Sequence, residues 1–185
     1  CGSFATRAQP SEPCGTDALM KQLYIDHPEL EKQAQRNFDL ARSSEELVAA
    51  RGTSQKTIVP VVIHIVHKRG QPQQIIPIHR VKQQIATLNN DFQRLNADTI
   101  DTPAIFQPIA GATNFEFRLA LIDPWGNATN GITYTETDTN FGGSGEYRMK
   151  FDSTGGINAW DVSRYMNVWV CQLGDPGLGG YAYLA

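Results

Sequence analysis

One continuous apolar run constrains the fold more than any other feature of the chain. Residues 58–67 read IVPVVIHIVH, and the two histidines are the only polar side chains among them. A strand that faces solvent on one side alternates apolar and polar residues, whereas this run is apolar on both sides. The run therefore predicts a central β-strand that is covered on both faces. Pro60 lies near the start of the strand, where a missing N–H is tolerated.

The residues that follow predict a helix and then further strands. Apolar side chains recur at the helical spacings of three and four after Pro77, at Ile78, Val81, Ile85, Leu88, Phe92 and Leu95. Alternation predicts a strand over residues 115–121, and residues 131–137 and 165–173 are strand-like as well. A strand, a long helix and a strand in this order are typical of a right-handed crossover. We therefore expect an α/β (α+β) fold with a mostly parallel sheet backed by the helix.

Composition excludes two classes of partner. The formal charge is −3, and the 16 Lys and Arg residues form no basic run, so the chain lacks the positive surface that nucleic-acid binding requires. No apolar run approaches the ~18–20 residues of a membrane-spanning helix, and we expect no signal peptide among these residues. We expect neither a nucleic-acid partner nor a transmembrane segment.

The three cysteines, Cys1, Cys14 and Cys171, have no metal-ligand spacing and cannot all pair with one another. Cys1-Gly-Ser is what a bacterial lipoprotein keeps after its signal peptide is removed, which predicts a lipid anchor at Cys1. A fragment boundary that falls on Cys1 is the alternative. The pairing state of Cys171 also stays open, and a disulfide with Cys14 is one alternative.

The pair His64 and His67 is the most tempting candidate for a metal site. On a helix such a pair would share a face, but on a strand positions 64 and 67 point to opposite faces. We therefore interpret both as structural histidines at the end of a buried strand, with satisfied ring nitrogens. No nucleophile elbow, phosphate-binding glycine loop or carboxylate pair is present elsewhere.

Five segments in order resemble the pappalysin family of metzincin zinc metallopeptidases. They are VVIHIVHKRG, HRVKQQIATLNNDFQRLNAD, FEFRLALIDPWGNATNGI, GGINAWDVSRYMNVWVCQL and GGYAYLA. The resemblance covers residues 57–185, which it identifies as the N-terminal (upper) part of a metzincin-like catalytic domain. Residues 1–56, whose helical part is polar and thinly apolar, are then a prosegment-like extension.

The resemblance also implies binding roles for particular residues. The strand Gly180–Leu184 becomes an antiparallel edge strand of the twisted sheet, on the upper rim of the active-site cleft. A peptide or protein substrate would add to this edge through main-chain hydrogen bonds, which gives Gly179, Gly180, Tyr181 and Ala182 a substrate-binding role. In family zymogens a prosegment cysteine occupies the zinc, and Cys14 in Glu-Pro-Cys-Gly-Thr matches that type of segment. An ordinary thiol, or a disulfide partner of Cys171, is the alternative for Cys14.

The catalytic motif of the family is absent from the sequence. Metzincins bind zinc through the three histidines of HExxHxxGxxH, and its glutamate is the general base. No such motif occurs here, so we assign no catalytic residue and expect zinc to be bound by residues missing from this chain. Calcium, which some relatives bind, cannot be placed. We expect the sheet face beneath the missing helix to be left exposed and the isolated chain to be inactive.

Two functions follow from the resemblance. The chain is the N-terminal portion of a secreted or lipid-anchored zinc metalloendopeptidase that hydrolyses peptide bonds by a metal-activated water and requires the missing C-terminal half. Alternatively, it is a non-catalytic remnant of the fold that binds peptides on its edge strand. Either function places the protein outside the cell or in the cell envelope.

Overall fold

A computed structural model describes residues 16–51, 56–141, 143–174 and 179–182 of the 185-residue chain. The chain divides into two compact units, which are described separately. The first comprises Cys1–Gly52 together with Asp175–Ala185, and the second comprises Thr53–Gly174.

The first unit contains two helices, α1 (Thr16–Asp26) and α2 (Pro28–Arg51). Pro28 starts α2 at the position where a missing N–H is tolerated. Met20 is buried, whereas Phe38 and Leu40 on α2 are 58% and 69% exposed. The helical part expected in residues 1–56 is thus present, and these two apolar side chains of α2 are exposed. In the described part of the chain, no helix is long and apolar enough to cross a membrane.

The second unit is built around one strand. Its regular elements are β1 (Thr57–Lys68), α3 (Ile78–Phe92), β2 (Phe115–Leu119), β3 (Ile132–Thr137) and β4 (Met166–Val170). Each of the other strands pairs with β1, and every pairing is parallel. This confirms the predicted mixture of helix and mostly parallel sheet.

The register places the strands on the two edges of β1. Val61 lies opposite both Leu119 of β2 and Met166 of β4, so these two strands must be on opposite edges. Ile63 lies opposite both β3 and β4, which separates those two strands in the same way. It follows that β4 occupies one edge, while β2 and β3 follow one another along the other.

The two faces of β1 belong to different apolar clusters. Odd-numbered residues pack with α3, in a cluster of Val61, Ile63, Ile65, Val81, Phe117 and Ile132. Even-numbered Val62 packs instead with Ala120, Trp160 and Tyr165. All six residues from Val61 to Val66 are buried, which confirms the prediction of a central strand covered on both faces.

The expectation of an exposed sheet face was wrong for β1. Val62, His64 and Val66 point away from α3, yet they are only 0%, 0% and 2% exposed. The segment between β3 and β4 supplies the cover, since its Trp160 contacts both the apolar cluster and the His64 ring. The chain therefore buries this face with its own loop residues.

Helix α3 also protects the outer edge of β2. The Asn89 amide donates to the carbonyl of Phe117 (2.9 Å) and accepts from its N–H (2.8 Å). A side chain thus takes the place of a neighbouring strand at this position. The helix ends at Phe92, three residues earlier than its apolar pattern suggests, because Arg94 has the left-handed φ of 53°.

Candidate functional site

The predicted peptide-binding segment, Gly179–Ala182, lies in the described part of the chain but forms no strand there. An extended segment becomes an edge strand only when a neighbouring strand takes up its backbone groups. The named strands of the sheet pair with β1 alone. The predicted edge strand Gly180–Leu184 is therefore not formed over residues 180–182, and Leu184 lies outside the described residues. The substrate-binding role of Gly179, Gly180, Tyr181 and Ala182 stays a prediction.

One backbone group of this segment has a partner from the N-terminal helix. The Ala182 N–H donates to Thr16 Oγ1 at 3.1 Å. Thr16 is the first residue of α1 and follows Cys14 by two positions. Addition of a peptide strand requires main-chain donors and acceptors that the peptide can reach. In this conformation the Ala182 donor is already taken. Cys14 lies outside the described residues, so its latent role also stays a prediction.

His64 is fully buried, and both of its ring nitrogens have partners. Nε2 lies 2.9 Å from Asn167 Oδ1, and Nδ1 lies 2.8 Å from Thr133 Oγ1. An amide oxygen only accepts, so Nε2 carries the proton and Nδ1 accepts from the threonine hydroxyl. Burial lowers the pKa of His64 and so favours the neutral ring. The interpretation of His64 as a structural histidine is confirmed.

Asn167 organises the polar cluster around His64. Its Oδ1 accepts from the Trp160 N–H (2.8 Å) as well as from His64, and its Nδ2 donates to the carbonyls of Trp160 (3.0 Å) and Tyr165 (3.1 Å). The backbone N–H of Trp160 can only donate, which fixes the orientation of the amide. Sequence reasoning missed this residue. An asparagine inside the apolar strand MNVWV was the available signal.

His67 lies on the opposite face of β1 from His64. It is paired with Glu136, whereas His64 is paired with Thr133, and the two histidines are three positions apart along the strand, which places them on opposite faces. They cannot coordinate one ion together. Among the described residues, no three His, Cys, Asp or Glu side chains are placed to hold a metal ion. With both nitrogens of His64 occupied, the described residues do not fit a zinc site.

Lys150 lies beside Trp169, which contacts the His64 ring. Burial lowers its pKa from 10.5 to about 8. Its Nζ lies 5.2 Å from the centre of the Trp169 ring, a distance at which the ring face attracts a cation. Trp169 also stacks at 5.1 Å on His64. Lys150 therefore extends the His64 cluster towards the surface.

Three solved structures of mirolysin are similar to this chain. Mirolysin in complex with a compound is 45% identical with a TM-score of 0.60, over 65% of this chain and 44% of that one. Mature mirolysin of Tannerella forsythia with a cleaved peptide is 45% identical with a TM-score of 0.61, over 67% and 45%. A glutamate-to-alanine variant of Tannerella forsythia promirolysin is 40% identical with a TM-score of 0.72, over 92% and 53%.

The chain is related to mirolysin, a metzincin-type zinc metallopeptidase. It spans about half the length of the structures it matches. No protein-family profile matches the chain, and no curated protein matches it significantly. The relationship confirms the metzincin part of the sequence prediction. Assignment to the pappalysin family in particular stays a prediction.

The mature and precursor forms of mirolysin cover different shares of this chain. The precursor covers 92% of this chain, and the other two mirolysin structures, one of them the mature enzyme, cover 65–67%, a difference of 25–27 percentage points. For a chain of 185 residues, that difference corresponds to about 46–50 residues. Its size is close to that of the N-terminal piece of the first unit, Cys1–Gly52. The likeness thus supports a metallopeptidase fold with a prosegment.

Proposed function

We propose that this chain supplies the prosegment and the N-terminal part of the catalytic domain of a zinc metalloendopeptidase. The observation that carries the proposal is the greater coverage by promirolysin, 92%, than by mature mirolysin, 67%. A peptidase without a prosegment would not account for the additional residues that match promirolysin. Peptides are the proposed substrates, because one of the related structures holds a cleaved peptide.

Zinc is the proposed cofactor, and it would be held by residues other than the described ones. We therefore expect the 185 residues by themselves to be inactive, since their sequence contains no HExxHxxGxxH. Calcium has no proposed site. Cys14 remains the proposed ligand that blocks the zinc in the latent form, and the bond from Ala182 to Thr16 is consistent with a prosegment that engages the predicted rim nearby.

The proposal is tested on the complete product of the gene that encodes these residues. We expect cleavage of a quenched fluorescent peptide library, stoichiometric zinc by mass spectrometry, and loss of cleavage with 1,10-phenanthroline. Cys14→Ala should raise the activity of the unprocessed form, whereas Cys171→Ala should not, because it lies in the catalytic part. A zinc-free product without peptidase activity after removal of residues 1–56 would contradict the proposal and favour a non-catalytic peptide-binding protein.

The location is proposed to be extracellular or in the cell envelope, with a lipid on Cys1. Metabolic labelling with an alkyne-bearing fatty acid tests the anchor. Label is expected on the wild-type protein and absent from Cys1→Ser. A protein that is recovered from the cytoplasm without label would contradict this part of the proposal alone.

A further inference from the structure

A cavity of about 230 Å³ opens at the carboxyl-terminal ends of β1, β3 and β4. In open sheets of parallel strands, ligands bind outside these ends of the strands. The inner part of the cavity is formed by the buried side chains of Val66, Thr137 and Phe141 and by half-buried Cys171. Its other polar side chains are those of Lys68, Gln71, Gln74, Thr139, Asn140 and Gln172.

A backbone donor fixes the orientation of the amides in this lining. The Lys68 N–H donates to one amide atom of Gln74 at 2.8 Å, and since an N–H cannot accept, that atom is Oε1. The other atom, Nε2, is therefore a donor. It donates to Oε1 of Gln71 at 2.6 Å and to Oε1 of Gln172 at 2.5 Å. The orientation of Gln74 thus sets the orientation of both neighbours.

The lining is consequently rich in donors. The oxygens of Gln71 and Gln172 are turned to Gln74, which leaves their NH₂ groups to donate elsewhere. Asn140 is similar, because its Oδ1 accepts from the Lys68 ammonium. That ammonium has three N–H donors, of which this bond uses one. No aspartate or glutamate lies among the lining residues in the described part of the chain.

A ligand that matches these groups accepts hydrogen bonds, carries negative charge and has a short apolar portion. At about 230 Å³ the cavity is smaller than the ~300–1,000 Å³ of drug-sized sites. We propose that it binds a small carboxylate, either a free dicarboxylic acid or the acidic side chain of a peptide. This inference is independent of the proposed peptidase activity, because binding requires neither zinc nor hydrolysis.

The test is a calorimetric titration of the 185-residue chain with glutarate, alongside uncharged glutaramide. We expect saturable binding of glutarate and at least tenfold weaker binding of glutaramide. Lys68→Gln should weaken glutarate binding at least tenfold, because the ammonium is the one charged group among the lining residues that the structure describes. Lys82→Gln is the matched control. Its side chain is exposed on α3 and outside the cavity, so it should bind as the wild type does.

Two further measurements locate the ligand and identify its source. Methylthiolation of Cys171, mapped by mass spectrometry, should slow when glutarate is bound, because the thiol lines the cavity. A capped Ala-Glu-Ala peptide that binds more tightly than glutarate indicates a peptide side chain, and the reverse order indicates a free acid.

Several outcomes would overturn the proposal. They are no saturable binding of either ligand, equal binding of glutaramide, inorganic phosphate bound as tightly as glutarate, or an equal loss in Lys82→Gln. Should Lys68→Gln fail to fold by circular dichroism, Gln172→Glu replaces it as the decisive variant. This change adds a carboxylate to an exposed lining position and should also weaken binding at least tenfold.

Discussion

Removal of the Asn167 side chain is the sharpest test of how the second unit is held together. This side chain accepts from the Trp160 N–H and the His64 Nε2–H and donates to the carbonyls of Trp160 and Tyr165. It therefore fastens the loop before β4 to the central strand β1. Asn167→Ala deletes all four hydrogen bonds and leaves the backbone of the strand unchanged.

The size of the effect follows from which groups lose a partner. His64 is 0% exposed and Trp160 is 7% exposed, so water does not replace the lost acceptor at either N–H. Each buried donor left without a partner costs about 1–3 kcal/mol, and the two carbonyls lose less because each keeps a second lone pair. We expect a loss of about 3 kcal/mol, which lowers the melting temperature by about 6–12 °C in a chain of this size.

Urea denaturation of the 185-residue chain, followed by circular dichroism, measures this loss. Asn90→Ala is the matched control, because Asn90 is exposed on α3, and we expect it to change the free energy of unfolding by less than ~0.5 kcal/mol. Asn167→Asp keeps the acceptors and places a carboxylate beside His64, so its deficit should shrink on acidification as the ring becomes protonated. A loss below ~1 kcal/mol for Asn167→Ala would refute the reasoning.

Three further predictions use other groups of the second unit. Because the pKa of His64 is lowered in the folded chain, the unfolded chain binds a proton at this histidine more readily. The free energy of unfolding should therefore decrease as the pH falls below 6.5, the ordinary histidine pKa. Urea midpoints at pH 5 and 7 should show a smaller decrease for His64→Gln than for the wild type. Gly156→Ala should lower the free energy of unfolding by about 3 kcal/mol, because the new Cβ would lie 2.0 Å from the Met149 carbonyl oxygen. Gly111→Ala is the control. Its Cβ would have no atom within 4 Å, so its melting temperature should match that of the wild type. Lys150→Met should raise the free energy of unfolding by about 1 kcal/mol at pH 7, a figure reduced because Lys150 is partly exposed. This gain should shrink between pH 8 and 10.5, because over that range Lys150 of the wild type is deprotonated in the folded chain and still protonated in the unfolded chain. A constant gain across that range would contradict burial as the cause of the lowered pKa.

The regular elements could be predicted from local patterns, because the spacing of apolar residues along the chain indicates both the type of element and the face that it buries. The strand expected over residues 58–67 is β1 (Thr57–Lys68). The helix expected after Pro77 is α3, which begins at Ile78. Strand ends were less accurate. The strand expected over residues 165–173 forms only at Met166–Val170, because pairing with β1 rather than apolar character decides where a strand stops.

The candidate sites were less predictable because their partners are distant in sequence. Thr133 and Asn167 lie 69 and 103 residues from His64, and Gln74 lies 98 residues from Gln172. The predicted rim at Gly180–Ala182 shows the same limit. An edge strand depends on a neighbour that its own residues do not specify.

The sequence by itself determined the central strand, the helix that backs it, the opposite faces of His64 and His67, and the resemblance to zinc metallopeptidases. These features depend on residue type and short-range period. Only the tertiary structure decided that the second face of β1 is buried by the chain's own loop, that Asn167 fixes the tautomer of His64, and that amides from three segments form a donor-lined cavity at Lys68. Each of these features depends on how β2, β3 and β4 pair with β1, because that pairing brings together residues that are far apart in the sequence.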